Sequence, residues 1–267
     1  MHAPQPPDAI LFLHGFLGRG DQWDEIVAPL RDRWPVLTPD LPGHGANLHG
    51  DLNVPLTFDR LTDDILEILD TRNLRRVILV GYSLGGRLAL HFACRFPQHV
   101  AALVLESSSP GIPEPTERAR RLEEDRRRAT IILQQGMNIF AERWYQQPLF
   151  ASLQHHPDIL MKLQHAAAQN DPRWMAKVIY DLSPGQQTPL WDCLPRLEVP
   201  TLLIAGEQDP KYTALMTQMT TRLPHARLVI APEAGHNVHV EQAEWYRSLL
   251  LEYLLQNYPQ PKQKAEP

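Results

Sequence analysis

The sequence predicts an α/β protein with a mostly parallel central sheet, helices on both faces and a helical cap inserted between two strands. Three observations predict it. Short apolar runs alternate with amphipathic helix-like segments through residues 1–109, the grammar of strands joined by crossover helices. A serine between glycines separates a buried-strand pattern from a helix pattern within 76–96. From about Pro110 to Pro195 only helical patterns occur, and strand patterns return after that.

In chain order, AILFLHG (9–15) and PVLTPD (35–40) read as strands, separated by an amphipathic stretch around DQWDEIVAPLRDR. FDRLTDDILEILDTR (58–72) places Leu61, Ile65, Ile68 and Leu69 on one helical face. RVILVGYS (76–83) is a buried strand, LGGRLALHFACRF (84–96) the helix after it, and VAALVLESSS (100–109) the next strand. The helical insertion contains ERARRLEEDRRRA, NIFAERWYQQPLF and DPRWMAKVIYDL. VPTLLIAGEQD (199–209) and ARLVIAP (226–232) complete the strands, and EQAEWYRSLLLEYLLQ is a closing helix. The expected division is a core of 1–109 and 196–257, a cap of 110–195, and a disordered polar tail of 258–267. A helical insertion at this point lies over the strand ends, where open α/β sheets place their sites.

Bulk properties restrict the function classes. The chain has 267 residues, 43% hydrophobic and 21% charged, with a formal net charge of −5. That balance points to a soluble domain without nucleic-acid binding or membrane insertion. The N-terminus has no signal-peptide pattern, and the only cysteines are Cys94 and Cys193. They could pair, but two thiols in a chain of this length suggest a reducing, cytoplasmic setting with no disulfide framework. Arginine supplies 21 of the 26 basic residues, and its planar fork suits two-pronged contacts with carboxylates.

Gly81-Tyr82-Ser83-Leu84-Gly85 has the strand-turn-helix context of a nucleophile elbow, in which the glycines permit a sharp turn that exposes the serine hydroxyl. A serine needs a base to take its proton. Of the 12 histidines, His236 in EAGHNVH is best placed, on a loop between the last strand and the last helix. His14 suits a structural or gate-lining role, and His239 at most a supporting one. A carboxylate must orient the base. Asp209 ends a strand and gives the chain order Ser, Asp, His seen in α/β-hydrolases, while Asp181 and Asp192 of the cap are weaker alternatives. The backbone N–H groups of Phe16 and Leu84 are the expected oxyanion hole. No metal site is expected.

Arg87 follows directly behind the elbow. Four positions after Ser83 on a helix, it shares nearly the same face and leans toward the serine. It either pairs with a scaffold carboxylate or grips a carboxylate of the substrate, and an ordinary ester site has no use for a cation there. In TERARRLEEDRRRA, Arg118, Arg121, Asp125 and Arg128 form one stripe, from which one or two arginines can point into the cleft. Trp144, Tyr145 and Phe150 form either an aromatic wall or the core of the cap.

GYSLGGR, SPGI followed by the arginine stripe with Asp125, WYQQPLFASL and AGHNVHVE together resemble one family, from LFLHGF to the last helix. It is the 2-succinyl-6-hydroxy-2,4-cyclohexadiene-1-carboxylate synthases of menaquinone and phylloquinone biosynthesis. The resemblance implies an α/β-hydrolase fold, no cofactor, a small-molecule tricarboxylate substrate, and elimination of pyruvate from it. It carries the catalytic role to Ser83, Asp209 and His236, and substrate binding to Arg87 and Arg121. Tyr82, Trp144, Tyr145 and Phe150 match pocket aromatics, and Lys211 a basic residue after the aspartate. The family's further cap arginine is missing, with only His165 in LQHAAAQND nearby.

Three function classes follow. The first is a lyase in which Ser83, made basic by His236, removes the proton next to the succinyl ketone. The second is a carboxylesterase or thioesterase using the same three residues. The third is a ligand-binding module on a hydrolase scaffold, which would tolerate loss of Ser83. Haloalkane dehalogenase and epoxide hydrolase chemistry needs an aspartate where Ser83 stands.

Overall fold

A computed structural model describes residues 7–258. Six strands, β1 (Ala9–Leu13), β2 (Val36–Leu37), β3 (Val77–Tyr82), β4 (Val100–Glu106), β5 (Thr201–Gly206) and β6 (Ala226–Ala231), form one sheet in the order β2-β1-β3-β4-β5-β6. Every pairing is parallel. β1, β3, β4 and β5 are buried along their whole length, which is why they read as unbroken apolar runs. Their side chains alternate between two cores. Leu11, Leu13, Leu79 and Leu103 face one layer, and Ile10, Phe12, Ile78 and Val104 face the other.

The first layer receives helices α2 (Phe58–Thr71) and α3 (Leu84–Arg95); α1 (Asp24–Val27) and α9 (Ala243–Asn257) cover the second. Thr57 caps α2 by accepting the Arg60 N–H at 3.2 Å. The amphipathic stretch around residue 24 is no continuous helix: α1 is one turn between two 3-10 turns, the second beginning Ala28-Pro29. Proline lacks the N–H that would extend α1.

Between β4 and β5 the regular elements are all helical. They include α4 (Pro115–Tyr145), a 3-10 segment (Pro148–His155), α5 (Pro157–Ala168) and α6 (Pro172–Asp181). α4 is broken at Gly136, whose φ of 78° lies in the left-handed region. The two ends of the insertion are tied together, because Leu190 N–H donates to Pro110 O at 2.7 Å and Trp191 Nε1–H to Gly111 O at 2.9 Å.

Two expectations are corrected here. Cys94, in the last turn of α3, and Cys193, on the return from the cap, form a disulfide. Packing brings their Cα atoms to 6.2 Å, within bridging range, although 99 residues separate them in sequence. Tyr258, assigned to the tail, is buried and donates its hydroxyl to Ala101 O at 2.7 Å; the rest of that tail lies outside the described residues. Among the described residues no helix is long and apolar enough to cross a membrane.

The remaining helices are α7 (Pro210–Thr220) and α8 (Val238–Glu241). The chain runs outward from β1 to β2 and then back to β3 on the other side of β1. This reversal opens a crevice beyond the carboxyl ends of β1 and β3. Phe16 follows the first of these strands and Ser83 the second.

Candidate active site

Ser83 occupies the turn between β3 and α3 with φ 50° and ψ −107°, a costly conformation for a residue with a side chain. Close backbone packing holds it. A Cβ on Gly81 would lie 2.6 Å from Gly85 O, and one on Gly85 would lie 2.1 Å from Leu13 O. The Ser83 N–H donates to Glu106 O at 2.9 Å, extending the sheet pairing into the turn.

His236 Nε2 lies 3.2 Å from Ser83 Oγ, and its Nδ1 lies 2.8 Å from Asp209 Oδ2. With the Nδ1 proton directed at the carboxylate, Nε2 is free to accept from the serine. Asp209 also caps α7, since its Oδ1 accepts the Tyr212 N–H at 3.1 Å. The helix cap and the histidine therefore fix one carboxylate from both oxygens. Glu241 holds the histidine loop by accepting the N–H groups of Gly235 at 3.0 Å and Asn237 at 3.1 Å. The alternatives lie elsewhere: Asp181 pairs with Lys177 and accepts the Leu56 N–H, and Asp192 does not line the cavity.

No protein acceptor receives the N–H of Phe16 or Leu84 among the described residues. Leu84 opens α3, where a helix leaves its first N–H groups unpaired. The segment holding Phe16 is pinned by two buried histidines. His14 donates through Nδ1 to Gly15 O at 2.8 Å and accepts the Leu41 N–H at Nε2. His44 accepts the Leu17 N–H at 3.3 Å. Burial pushes the His14 imidazole down to about 4 and keeps His44 well below its usual range, so both are neutral supports. His239 is a support as well. Its ring stacks on Trp23 and donates to the buried Glu106 carboxylate at 2.9 Å.

The serine opens into a cavity of about 680 Å³ lined from both core and cap. Phe16, Tyr82, Trp144, Phe150, Arg87, Arg121 and Lys211 all line it. Tyr145 does not: it is buried, with its ring 5.1 Å from that of Phe150. Successive helical residues point about 100° apart, and here Trp144 turns to the cavity while Tyr145 turns into the core of the cap. His165 is also outside the cavity, exposed and beside Gln169. Arg128, which the sequence left on the stripe without a role, does line it.

Four arginines line the cavity, the exposed Arg120 and the more enclosed Arg87, Arg121 and Arg128, and the surroundings of the last three differ. Arg121 Nε and Arg128 Nη1 donate to opposite oxygens of Asp125, at 2.8 and 2.7 Å. Asp125 is fully buried and also accepts the Ser183 hydroxyl at 2.7 Å. Arg87 contacts no carboxylate among the described residues; its Nη1 donates to Leu182 O at 2.9 Å and Gln187 Oε1 at 3.1 Å. Desolvation, reinforced by nearby Arg121, pushes Arg87 down to about 10, so it remains cationic at neutral pH. A charge so placed lacks the ion partner that buried charges ordinarily require. An anion entering the cavity can supply it. Among the described residues no three metal-ligating side chains cluster.

Known proteins match along nearly the whole chain. The family model described as the alpha/beta hydrolase fold matches residues 8–243. The 2-succinyl-6-hydroxy-2,4-cyclohexadiene-1-carboxylate synthase of Enterobacter sp. (strain 638) is 34% identical, covering 87% of this chain and 86% of its own. The enzyme of the same name from Serratia proteamaculans (strain 568) is 33% identical, covering 92% of each. The structure of MenH from S. aureus superposes with a TM-score of 0.90 and 32% identity, over 96% of this chain and 97% of that one. With this fold and this arginine-lined serine site, the chain belongs to the 2-succinyl-6-hydroxy-2,4-cyclohexadiene-1-carboxylate synthase family of α/β-hydrolase-fold enzymes.

Proposed function

We propose that the protein eliminates pyruvate from 2-succinyl-5-enolpyruvyl-6-hydroxy-3-cyclohexene-1-carboxylate to give 2-succinyl-6-hydroxy-2,4-cyclohexadiene-1-carboxylate. The observation that carries this reading is the set of cavity-lining arginines near Ser83, among them the part-buried Arg87, which contacts no carboxylate among the described residues. A substrate with three carboxylates suits that charge. A neutral ester does not.

In the proposed mechanism, Ser83 Oγ passes its proton to His236 Nε2 and takes the proton next to the succinyl ketone. Asp209 keeps the imidazole in the required tautomer and stabilises the imidazolium. Negative charge developing on the ketone oxygen is met by the N–H groups of Phe16 and Leu84. The electron pair moves through the ring double bond and breaks the carbon–oxygen bond to the enolpyruvyl group. The departing enolpyruvate becomes pyruvate on taking up a proton, which returns the histidine to its neutral form. Arg87, Arg121 and Arg128 hold carboxylates, with Lys211 at the rim and Trp144 and Phe150 beside the ring. Their effect is positional.

The same three residues would also serve an esterase. The test is to supply the enolpyruvyl tricarboxylate and follow pyruvate release, with Ser83→Ala as control and a panel of small esters for comparison. Release by the wild type, abolished by the substitution and far more efficient than ester hydrolysis, supports the reading. No pyruvate from the wild type, alongside efficient turnover of an ester, rejects it.

A further inference from the structure

The hydrogen bonds of Arg87 contain an anomaly. The side chain grows from the core helix α3, yet both oxygens its Nη1 contacts belong to the turn after α6, Leu182-Ser183-Pro184-Gly185-Gln186-Gln187. The same turn holds the other two arginines, because Ser183 Oγ donates to the Asp125 carboxylate that Arg121 and Arg128 share. One cap turn therefore links Arg87, Arg121 and Arg128.

Gln187 is the unusual member. It is 1% exposed and does not line the cavity. The Arg87 contact fixes its amide orientation, since only Oε1 can accept from a guanidinium. Its Nε2 is then buried with no partner among the described residues. That end of the amide lies against Gly111, where a Cβ would come within 3.3 Å of Nε2. An orphaned buried N–H is costly. A glutamate would leave no such N–H and would pair with Arg87 more strongly, but it would also neutralise the cation. A neutral acceptor aims the guanidinium and leaves its charge available.

We infer that Gln187 is a positioning residue that gives the site its preference for anionic substrates, orienting the Arg87 guanidinium toward the cavity without cancelling its charge. This inference rests on the proposed role of Arg87 in gripping a substrate carboxylate. It assigns part of substrate selection to a residue that never touches the substrate.

The test compares wild type, Gln187→Glu, Gln187→Met and Arg87→Ala in the pyruvate-release assay, with Tm measured on each. Gln187→Glu should raise KM about tenfold or more while kcat stays within about threefold, because it removes uniform binding of the substrate. Gln187→Met, which keeps the volume and loses the acceptor, should raise KM by a smaller factor of about three to ten. KM values within about twofold of wild type in both variants overturn the inference. So does a fall in kcat that matches the rise in KM and comes with a lower Tm, which is the mark of a packing role. Should the wild type release no pyruvate, or Arg87→Ala behave as wild type, the failure belongs to the proposed function. Crystal structures of wild type and Gln187→Met then read the positioning step without turnover. A displaced guanidinium supports it, and an unmoved one overturns it.

Discussion

Glu241 brackets His236. Its carboxylate accepts the N–H groups of the residues on either side of the imidazole, Gly235 and Asn237, and is itself 7% exposed. The proposed base is thus held in two ways, through its ring by Asp209 and through its backbone by Glu241. Glu241→Ala should lower kcat about 10- to 100-fold with little change in KM, since misaligned proton transfer affects the chemical step. Steady-state kinetics at saturating substrate provide the check. A variant with wild-type kcat would assign Glu241 to stability alone.

Arg87→Ala should reduce kcat/KM on the tricarboxylate by about 100-fold or more, because a part-buried charge-assisted contact disappears. The binding part of that loss should appear as a higher KM. Near-wild-type efficiency would remove the basis for reading this site as one for multiply anionic substrates.

Asp125→Asn tests the shared carboxylate. It keeps the shape but leaves Arg121 and Arg128 without their common ion partner and Ser183 with a weaker acceptor. Both arginines are partly exposed, so water offsets some of the loss. A destabilisation of about 1–3 kcal/mol is expected in urea denaturation. KM should rise as well, because the two guanidinium groups lose their fixed spacing.

Buried histidines set an acid limit on stability, His14 and His91 together with His44, which is shifted in the same direction. Desolvation pushes His14 to about 4, and desolvation, aided by Arg87 and Arg95, does the same to His91. In the unfolded chain both return to about 6.5. As pH falls below 6.5 the unfolded state therefore binds protons that the folded state refuses. Stability from these groups is fully present above pH 6.5, declines between 6.5 and 4, and levels off below 4. Each can remove up to about 3 kcal/mol over that interval. Urea midpoints at pH 7.5, 5.5 and 4.5 should show the decline, and His91→Phe should make it shallower.

What the sequence reveals depends on how local the cause is. The four central strands were legible because each is a largely contiguous apolar run, and the elbow because its glycines, serine and following helix lie within a few residues. The broken helix around α1 hinges on Pro29, a local signal available in the sequence. The sequence leaves Trp144 and Tyr145 open between a cavity wall and the cap core, and the structure divides them, with Trp144 in the wall and Tyr145 in the core. Arg128 and Arg121 had equal claims on the stripe, and only the placement of Asp125 between them reveals that both reach the cavity. Gln187 gave no signal, because its importance arises from a contact across 100 residues. The cysteine pair was hidden by the same kind of distance.

The link between Cys94 and Cys193 encloses the entire cap within one covalent ring. A single protease cut anywhere between those positions, including the left-handed break at Gly136, would linearise the ring without separating the two pieces. Limited digestion should therefore leave a nicked molecule that migrates as one band on a non-reducing gel and as two once a thiol is added. A backbone severed within the cap would thus leave both halves of the arginine-lined pocket tethered.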